Sequence, residues 1–394
     1  MRELDFSEKN LRNGWLGVKS FWNLLEGEVK RLTKRHLERT LLWEQRMRVG
    51  CGRYKRSGKR QGYRNGSYFR DLLCSYGWIE GLVVPRVREG GIDFELLERY
   101  RRRQRQVDVM LLEAFLYGHS TRKTVRWFKR LWGGGVSAQV VSNLVKELDQ
   151  RVKEFHRRLV GDDYQFLFLD GRWITLSKPV KTKKVLLVAL GVRKDGSKEL
   201  LSFQLANSES ESCWWGFLSD LKQRGLSGRN LEVIVSDQAK GLVKAIQGLY
   251  PRVTHHICTF HKANDLGEHL GDKRHRRRII SDALHVFEGE TETEVRKRLQ
   301  LFCDKWSLIE PKAVRNFIRG FEDCLVYLLY PDPQRTMLKT NNLIERQLQE
   351  LRRRIIPMRS FNNSRSIERI IYGLIAYVIN QSQDMPQNNF TQLS

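Results

Sequence analysis

The segment from 164 to 258 constrains this chain more than any other, because its apolar runs come in an order that few folds accommodate. Tyr164-Gln-Phe-Leu-Phe-Leu169 is apolar on both faces, so it belongs inside a sheet that is covered on both sides. Residues 185–192 and 200–205 read as two more strands, joined by the turn Lys194-Asp-Gly-Ser197. A helical period then carries Trp214, Trp215, Leu218 and Leu221. Residues 231–236 form a fourth strand, 240–249 a helix and 253–258 a fifth strand. The predicted order is βββαβαβ: an antiparallel meander extended by strands that are reached through helices.

That is the strand order of a ribonuclease H-like core, an α/β class. Asp170 closes the first run and Asp237 the fourth, and in this order those two strands are neighbours. Loops at the carboxyl ends of such strands are where sheets of this kind hold ligands. Glu345 lies in the first turn after Thr340-Asn-Asn, a good helix cap, beside the stripe Ile344, Leu348, Leu351 and Ile355. Pro357 ends that helix. A single Asp after a strand is normally a turn or cap residue. Three acids at matching element ends suit Mg²⁺ or Mn²⁺, hard ions that prefer oxygen ligands. Two such ions, about 3.5–4 Å apart, are the usual apparatus of phosphodiester chemistry.

The charge agrees with a polyanionic partner. The net charge is +26, and residues 1–150 hold 31 basic against 17 acidic residues, whereas 201–350 hold 22 against 20. Basicity gathered in one part of a chain is the footprint of nucleic acid. No signal-peptide stretch opens the sequence and no run approaches a membrane span, so no membrane partner is expected. Six scattered cysteines (51, 74, 213, 258, 303 and 324) include no CxxC pair, which fits a reducing, cytoplasmic setting.

The flanking regions divide by pattern. Residues 1–50 read as helical, with Phe21, Leu24, Leu25, Val29 and Leu32 at helical spacing. Residues 51–93 are a small basic, glycine-punctuated β module. Residues 94–160 read as helices, the first carrying Leu96 and Leu97, and include a helix-turn-helix arrangement: one helix from Ser120, the turn Gly133-Gly-Gly, and a second helix capped by Ser137. Gln139, Ser142, Asn143 and Lys146 would then face a major groove, although an ordinary helical hairpin has the same spacing. The core follows in two parts, 161–262 and 337–380, around a helical insertion at 263–336; a tail of 381–394 remains.

Several stretches together resemble the mutator-type transposases of bacterial insertion sequences. They are Tyr63-Arg-Asn-Gly66, Val84-Pro-Arg-Val-Arg88, Leu96-Leu-Glu-Arg-Tyr100, Ser120-Thr-Arg-Lys123, Lys146-Glu-Leu-Asp149, Leu169-Asp-Gly171, Ser236-Asp237, Cys258-Thr-Phe-His261-Lys262, Thr340-Asn-Asn-Leu-Ile-Glu-Arg346 and Glu350-Leu-Arg-Arg-Arg354. The resemblance spans about residues 60 to 375. It implies a DDE triad, carried over as Asp170, Asp237 and Glu345, on a ribonuclease H-like fold interrupted before the Glu by an all-helical insertion. It further implies Mg²⁺-dependent (or Mn²⁺-dependent) nicking at terminal inverted repeats and transfer of the exposed 3′-hydroxyl into target DNA. Double-stranded DNA is then the partner, the protein a homodimer or larger on it, and the location the bacterial cytoplasm, on the nucleoid.

Further residues follow from the same resemblance. Lys262, Arg346, Arg352 and Arg354 are expected at DNA phosphates, with Ala263-Asn264 standing where an Arg-Asn pair is common. Cys258 and His261 are the family's CxxH pair; two ligands fall short of the four of a structural zinc, so they read as structural or as a wall of the site. Trp306 has two readings, a base-stacking residue or a core tryptophan. The competing functions are a catalytically inactive DNA-binding protein or regulator derived from a transposase, and a ribonuclease.

Overall fold

A computed structural model describes residues 18–55, 57–88, 91–97, 101–176, 182–355 and 364–376. Its internal contacts divide the chain into two units, 1–146 and 147–394.

In the first unit a long helix, α1 (Val18–Val49), precedes an antiparallel hairpin of β1 (Arg64–Cys74) and β2 (Gly77–Val87). Leu41 of the helix packs with Leu72, Leu82 and Val84 of the hairpin. Glu38 clamps the register by accepting the Val83 amide at 3.0 Å. The expected apolar stripe at the start of α1 finds no cover among the described residues: Phe21, Leu24, Leu25 and Leu32 are exposed. Residues 91–97 are not helical, so Leu96 and Leu97 fall outside the helix expected for them. The next helix is α2 (Arg105–Leu116), whose buried Asp108 is paired with Arg101 and Arg103.

Helices α3 (Thr121–Trp132) and α4 (Ala138–Arg157) meet across the glycine turn that the sequence indicates. Ser120 caps the first by accepting the Lys123 amide, and Ser137 accepts the Val140 amide at the second. Gly133 ends α3 at φ +82°, a left-handed conformation that side-chain-bearing residues avoid. Phe128, Val141 and Leu144 bury their side chains with Leu73, Val107 and Leu111.

The second unit contains a five-stranded sheet in the order β5-β4-β3-β6-β7. Its strands are β3 (Tyr164–Leu176), β4 (Thr182–Arg193), β5 (Lys198–Ala206), β6 (Val233–Ser236) and β7 (Thr254–Ile257). Helix α5 (Glu211–Gln223) follows β5 and α6 (Lys240–Leu249) follows β6, which reproduces the βββαβαβ order. The two helices cover one sheet face, where Leu167, Leu169, Val185 and Leu187 pack on Trp214, Phe217, Leu221, Leu242 and Ile246. Each such side chain contributes roughly 1.5–3 kcal/mol through burial.

One boundary differs from the expectation in a way that matters. The first strand does not close at Asp170. It runs on to Leu176, paired throughout with β4, so Asp170 lies inside it opposite Val188. What stops near Asp170 is the parallel partner: β3 pairs with β6 only from Phe166↔Val233 to Phe168↔Val235. A change of period marks where burial ends, whereas an exposed antiparallel ribbon carries no such mark.

Between β7 and the last helices every described element is helical. These are α7 (Thr259–Asp265), α8 (Arg276–Val286), α9 (Glu292–Trp306), α10 (Pro311–Ile318) and α11 (Gln334–Leu338), with short 3₁₀ turns between them. Ile279, Ala283, Phe287, Phe302, Phe317 and Phe321 form their common core. Then come α12 (Asn342–Ile355) and α13 (Ser364–Leu374). Arg369 of α13 pairs with Asp149 of α4. Among the described residues no helix is long and apolar enough to cross a membrane.

Candidate active site

Side chains alternate along a strand, so Asp170 shares the sheet face of Phe166 and Phe168, opposite the face that α5 and α6 cover. It is 3% exposed. One carboxylate oxygen, Oδ1, accepts the Gly171 amide at 2.9 Å; the other, Oδ2, is buried with no partner among the described residues. Burial, then the charges of Asp237 and Glu345, push the Asp170 carboxyl up to about 7. The three acids singled out from sequence therefore share one electrostatic environment.

Each of the other two is set by its own local chemistry. Asp237 follows β6, and its Oδ1 accepts the Ala239 amide at 3.1 Å, which holds the loop that starts α6. Ser236, fully buried, donates to the Asp237 carbonyl at 2.7 Å and pairs with His255 Nε2 at 2.7 Å. Glu345 sits in the first turn of α12, where an acid also suits the positive end of the helix. Its Oε1 lies 3.4 Å from His261 Nε2.

The start of α12 is anchored by a residue that sequence reading treated only as part of a cap. Asn341 is fully buried and donates through Nδ2 to the Leu169 carbonyl at 2.9 Å. Its amide donates to Cys258 Sγ at 3.1 Å. One residue thereby ties Glu345's helix to the strand of Asp170, through its side chain, and to the residue that follows β7, through its backbone. Asn341 occupies the cap position, its carbonyl accepting the Glu345 amide at 3.0 Å, but its side chain reaches the strand instead, which a local pattern does not reveal.

Cys258 and His261 both face this helix start, Cys258 through Asn341 and His261 through Glu345. Burial pushes the Cys258 thiol up to about 11. His255 and His256 diverge, the first onto Ser236 and the second against the Tyr327 ring at 5.9 Å.

One expected contact is corrected, at Lys262, and the core reading of Trp306 holds. Lys262 is 2% exposed, and its ammonium donates to Gln238 Oε1, the Asn316 carbonyl and the Arg319 carbonyl. A lysine saturated in this way links the insertion to the loop after Asp237 and presents nothing to a phosphate. Trp306, also 2% exposed, belongs to the core of the insertion and donates Nε1 to Asp282 at 2.8 Å, so it offers no face to a base. Helical spacing alone cannot separate such roles. The side chains of Arg346, Arg352 and Arg354, with Leu351 and Ile355 of the expected stripe, lie outside the described residues, as do Pro357 and the tail 381–394.

The first unit places the other predicted contacts together. Gln139, Asn143 and Lys146 are exposed on α4 and Ser142 is half-buried, with Gln139 Nε2 donating to Asn143 Oδ1 at 2.8 Å. Helix α3 adds Arg122, Lys123, Arg126, Lys129 and Arg130, all exposed, which sequence reading passed over.

Among the described residues no three His, Cys, Asp or Glu side chains stand close enough to enclose an ion. The residues nevertheless fit a hard divalent cation. A buried carboxylate oxygen without a donor, in the field of two further acids, lacks the positive charge that such an ion provides.

Comparison with known proteins adds to this geometry. The family model described as "Transposase, Mutator family" matches residues 19–384. The transposase for insertion sequence element ISRM5 of Rhizobium meliloti (strain 1021) is 32% identical over 327 residues, which cover 83% of this chain and 81% of that protein. The transposase for insertion sequence element IS256 in transposon Tn4001 of Staphylococcus aureus is 33% identical over 329 residues, 82% of each. Among solved structures, the catalytic domain of Mos1 mariner transposase matches 46% of this chain and 86% of that one at 16% identity, with a TM-score of 0.19 that is too low to bear on the fold.

Proposed function

The chain belongs to the Mutator family of transposases, and on that premise we propose that it nicks DNA at the terminal inverted repeats of its element and transfers the 3′-hydroxyl ends into target DNA. Asp170, Asp237 and Glu345 are the proposed metal-holding triad, on a sheet whose strand order supports a ribonuclease H-like core. The observation that carries this reading is Asp170: a buried carboxylate with an unpartnered oxygen, raised by burial and by the other two acids.

Mg²⁺ or Mn²⁺ ions, two of them in this chemistry, would supply nucleophile activation and a counter-charge for the leaving oxygen. The protein's own part is positioning. Asn341 fixes the start of Glu345's helix to the strand of Asp170, and His261 orients the Glu345 carboxylate. The Asp237 loop is held from one side by Ala239 and from the other by Ser236. In the first unit, the basic residues of α3 suit phosphates, which fix register, while Gln139 and Asn143 on α4 suit base edges.

A supercoiled plasmid bearing the element's ends tests the chemistry. Nicking is expected with Mg²⁺ and not with EDTA. If Asp170→Asn or Glu345→Gln nicks as fast as the parent protein, the triad assignment fails. Footprints on the end sequence test the helix-turn-helix: Gln139→Ala with Asn143→Ala should weaken binding to the ends by roughly tenfold or more while sparing random DNA. Unchanged footprints would remove that assignment.

A further inference from the structure

Glu209 was not singled out from sequence, and its surroundings set it apart. It occupies the loop between β5 and α5, one residue before the helix cap Ser210, whose Oγ accepts the Cys213 amide at 3.4 Å. Two glycines let this loop approach the site closely. A Cβ at Gly171, the residue after Asp170, would stand 3.1 Å from Glu209 Oε1 and 3.2 Å from its carboxyl carbon. A Cβ at Gly241, in the first turn after the Asp237 loop, would stand 2.8 Å from the Glu209 carbonyl oxygen and 2.6 Å from the Glu211 amide. Gly171 thus makes room for the carboxylate and Gly241 for the backbone beneath it.

The carboxylate is half-buried and, among the described residues, has neither a hydrogen-bond nor an ion-pair partner. That is unexpected in a chain with 26 surplus positive charges. Burial, and after it the charge of Asp237, raise its carboxyl above the usual range. Asp170, the residue before Gly171 in the strand, also has a buried oxygen without a partner among the described residues. Acids gathered without cations cost stability unless something positive joins them.

We propose that Glu209 is a fourth carboxylate ligand of the divalent-metal site, reaching it from the β5–α5 loop on the side of Asp237. This rests on the metal-site reading above. It gives the site an acid on each of four separate segments, so that ion affinity depends on the meander as well as on the two Asp strands and the Glu helix.

The test is Mn²⁺ binding to the full-length protein without DNA, followed by electron paramagnetic resonance, for the parent protein, Glu209→Gln, Glu209→Ala and Asp170→Asn. Glu209→Gln and Glu209→Ala should raise the Mn²⁺ midpoint by roughly tenfold or more. Far-ultraviolet circular dichroism should match the parent, and the Mg²⁺ concentration for half-maximal nicking should rise in step. Midpoints within twofold of the parent in both Glu209 variants, while Asp170→Asn loses binding, would overturn the Glu209 assignment and leave the triad standing. Unchanged binding in Asp170→Asn as well would overturn the triad reading and this inference with it. A fall in melting temperature with unchanged Mn²⁺ midpoints would show a structural role only, which also overturns it.

Discussion

Asp170 in the sheet and Glu310 in the helical insertion are equally buried, each 3% exposed, yet their surroundings are opposite. Glu310 accepts the Gly271 amide at 2.7 Å, the Asp272 amide at 3.0 Å and His275 Nδ1 at 2.8 Å. Burial alone would push its carboxyl up, but those hydrogen bonds hold it below the usual carboxylate range. Asp170 has one amide, an oxygen with no donor, and two acids as neighbours. The insertion has completed its buried acid internally, so that acid staples a turn. The sheet leaves its buried acid without a second donor among the described residues, and on that the proposed metal site rests. Burial of a carboxylate is therefore not what distinguishes a site; the missing donor is.

The largest expected effect breaks the comparison at its sheet end. Asp170→Asn should slow plasmid nicking by at least ~100-fold. The same substitution should stabilise the metal-free protein. Because the folded carboxyl is raised from 3.8 to about 7, its margin is complete below 3.8 and is lost as pH rises through about 7. At pH 8 the loss is on the order of 4 kcal/mol, which Asn does not suffer. Melting curves at pH 4 and pH 8 check this: the variant should gain on the parent only at the higher pH, and an equal gain at both would show that ionisation is not the cause.

At the other end, Glu310→Ala strands two amides and His275, and should cost about 2–4 kcal/mol in urea unfolding. Nicking by the protein that remains folded should keep its Mg²⁺ dependence; a shifted dependence would mean that the insertion's acid also reaches the site. Smaller still, Mg²⁺ at about 100 times its dissociation constant should stabilise the parent by about 2.7 kcal/mol at pH 8. That gain should shrink at pH 5, where protons compete for Asp170, and vanish in Asp170→Asn; calorimetric melting separates these outcomes. The smallest effect belongs to Trp306, another fully partnered group of the insertion. Trp306→Phe gives up the bond to Asp282 and should cost about 1 kcal/mol with DNA affinity unchanged.

Legibility from sequence followed the range of the interaction. The strand order of the sheet and the helix starts at Ser120 and Ser137 depend on neighbours a few residues away, so period and cap residues reveal them. Asp170 and Asp237 could be placed on adjacent strands because β3 and β6 follow from that order. Lys262 was misread, and Trp306 was left with two readings, because their partners, Asn316, Arg319 and Asp282, lie 24 or more residues away along the chain. Local chemistry gives a lysine at a helix start the same appearance whether it meets water, a phosphate or three buried carbonyls.

Pattern along the chain was enough for the mixed α/β plan, the helical character of 263–336 and the three acids worth testing. Packing alone reveals that Asp170 sits inside a strand rather than at its end, that Asn341 bolts the Glu345 helix to that strand, and that Glu209 lies against Gly171. The physical reason is that apolar periodicity reports which side of an element is dry. Whether a buried polar group finds its donor is a property of what folds against it, and that is written nowhere within a single element.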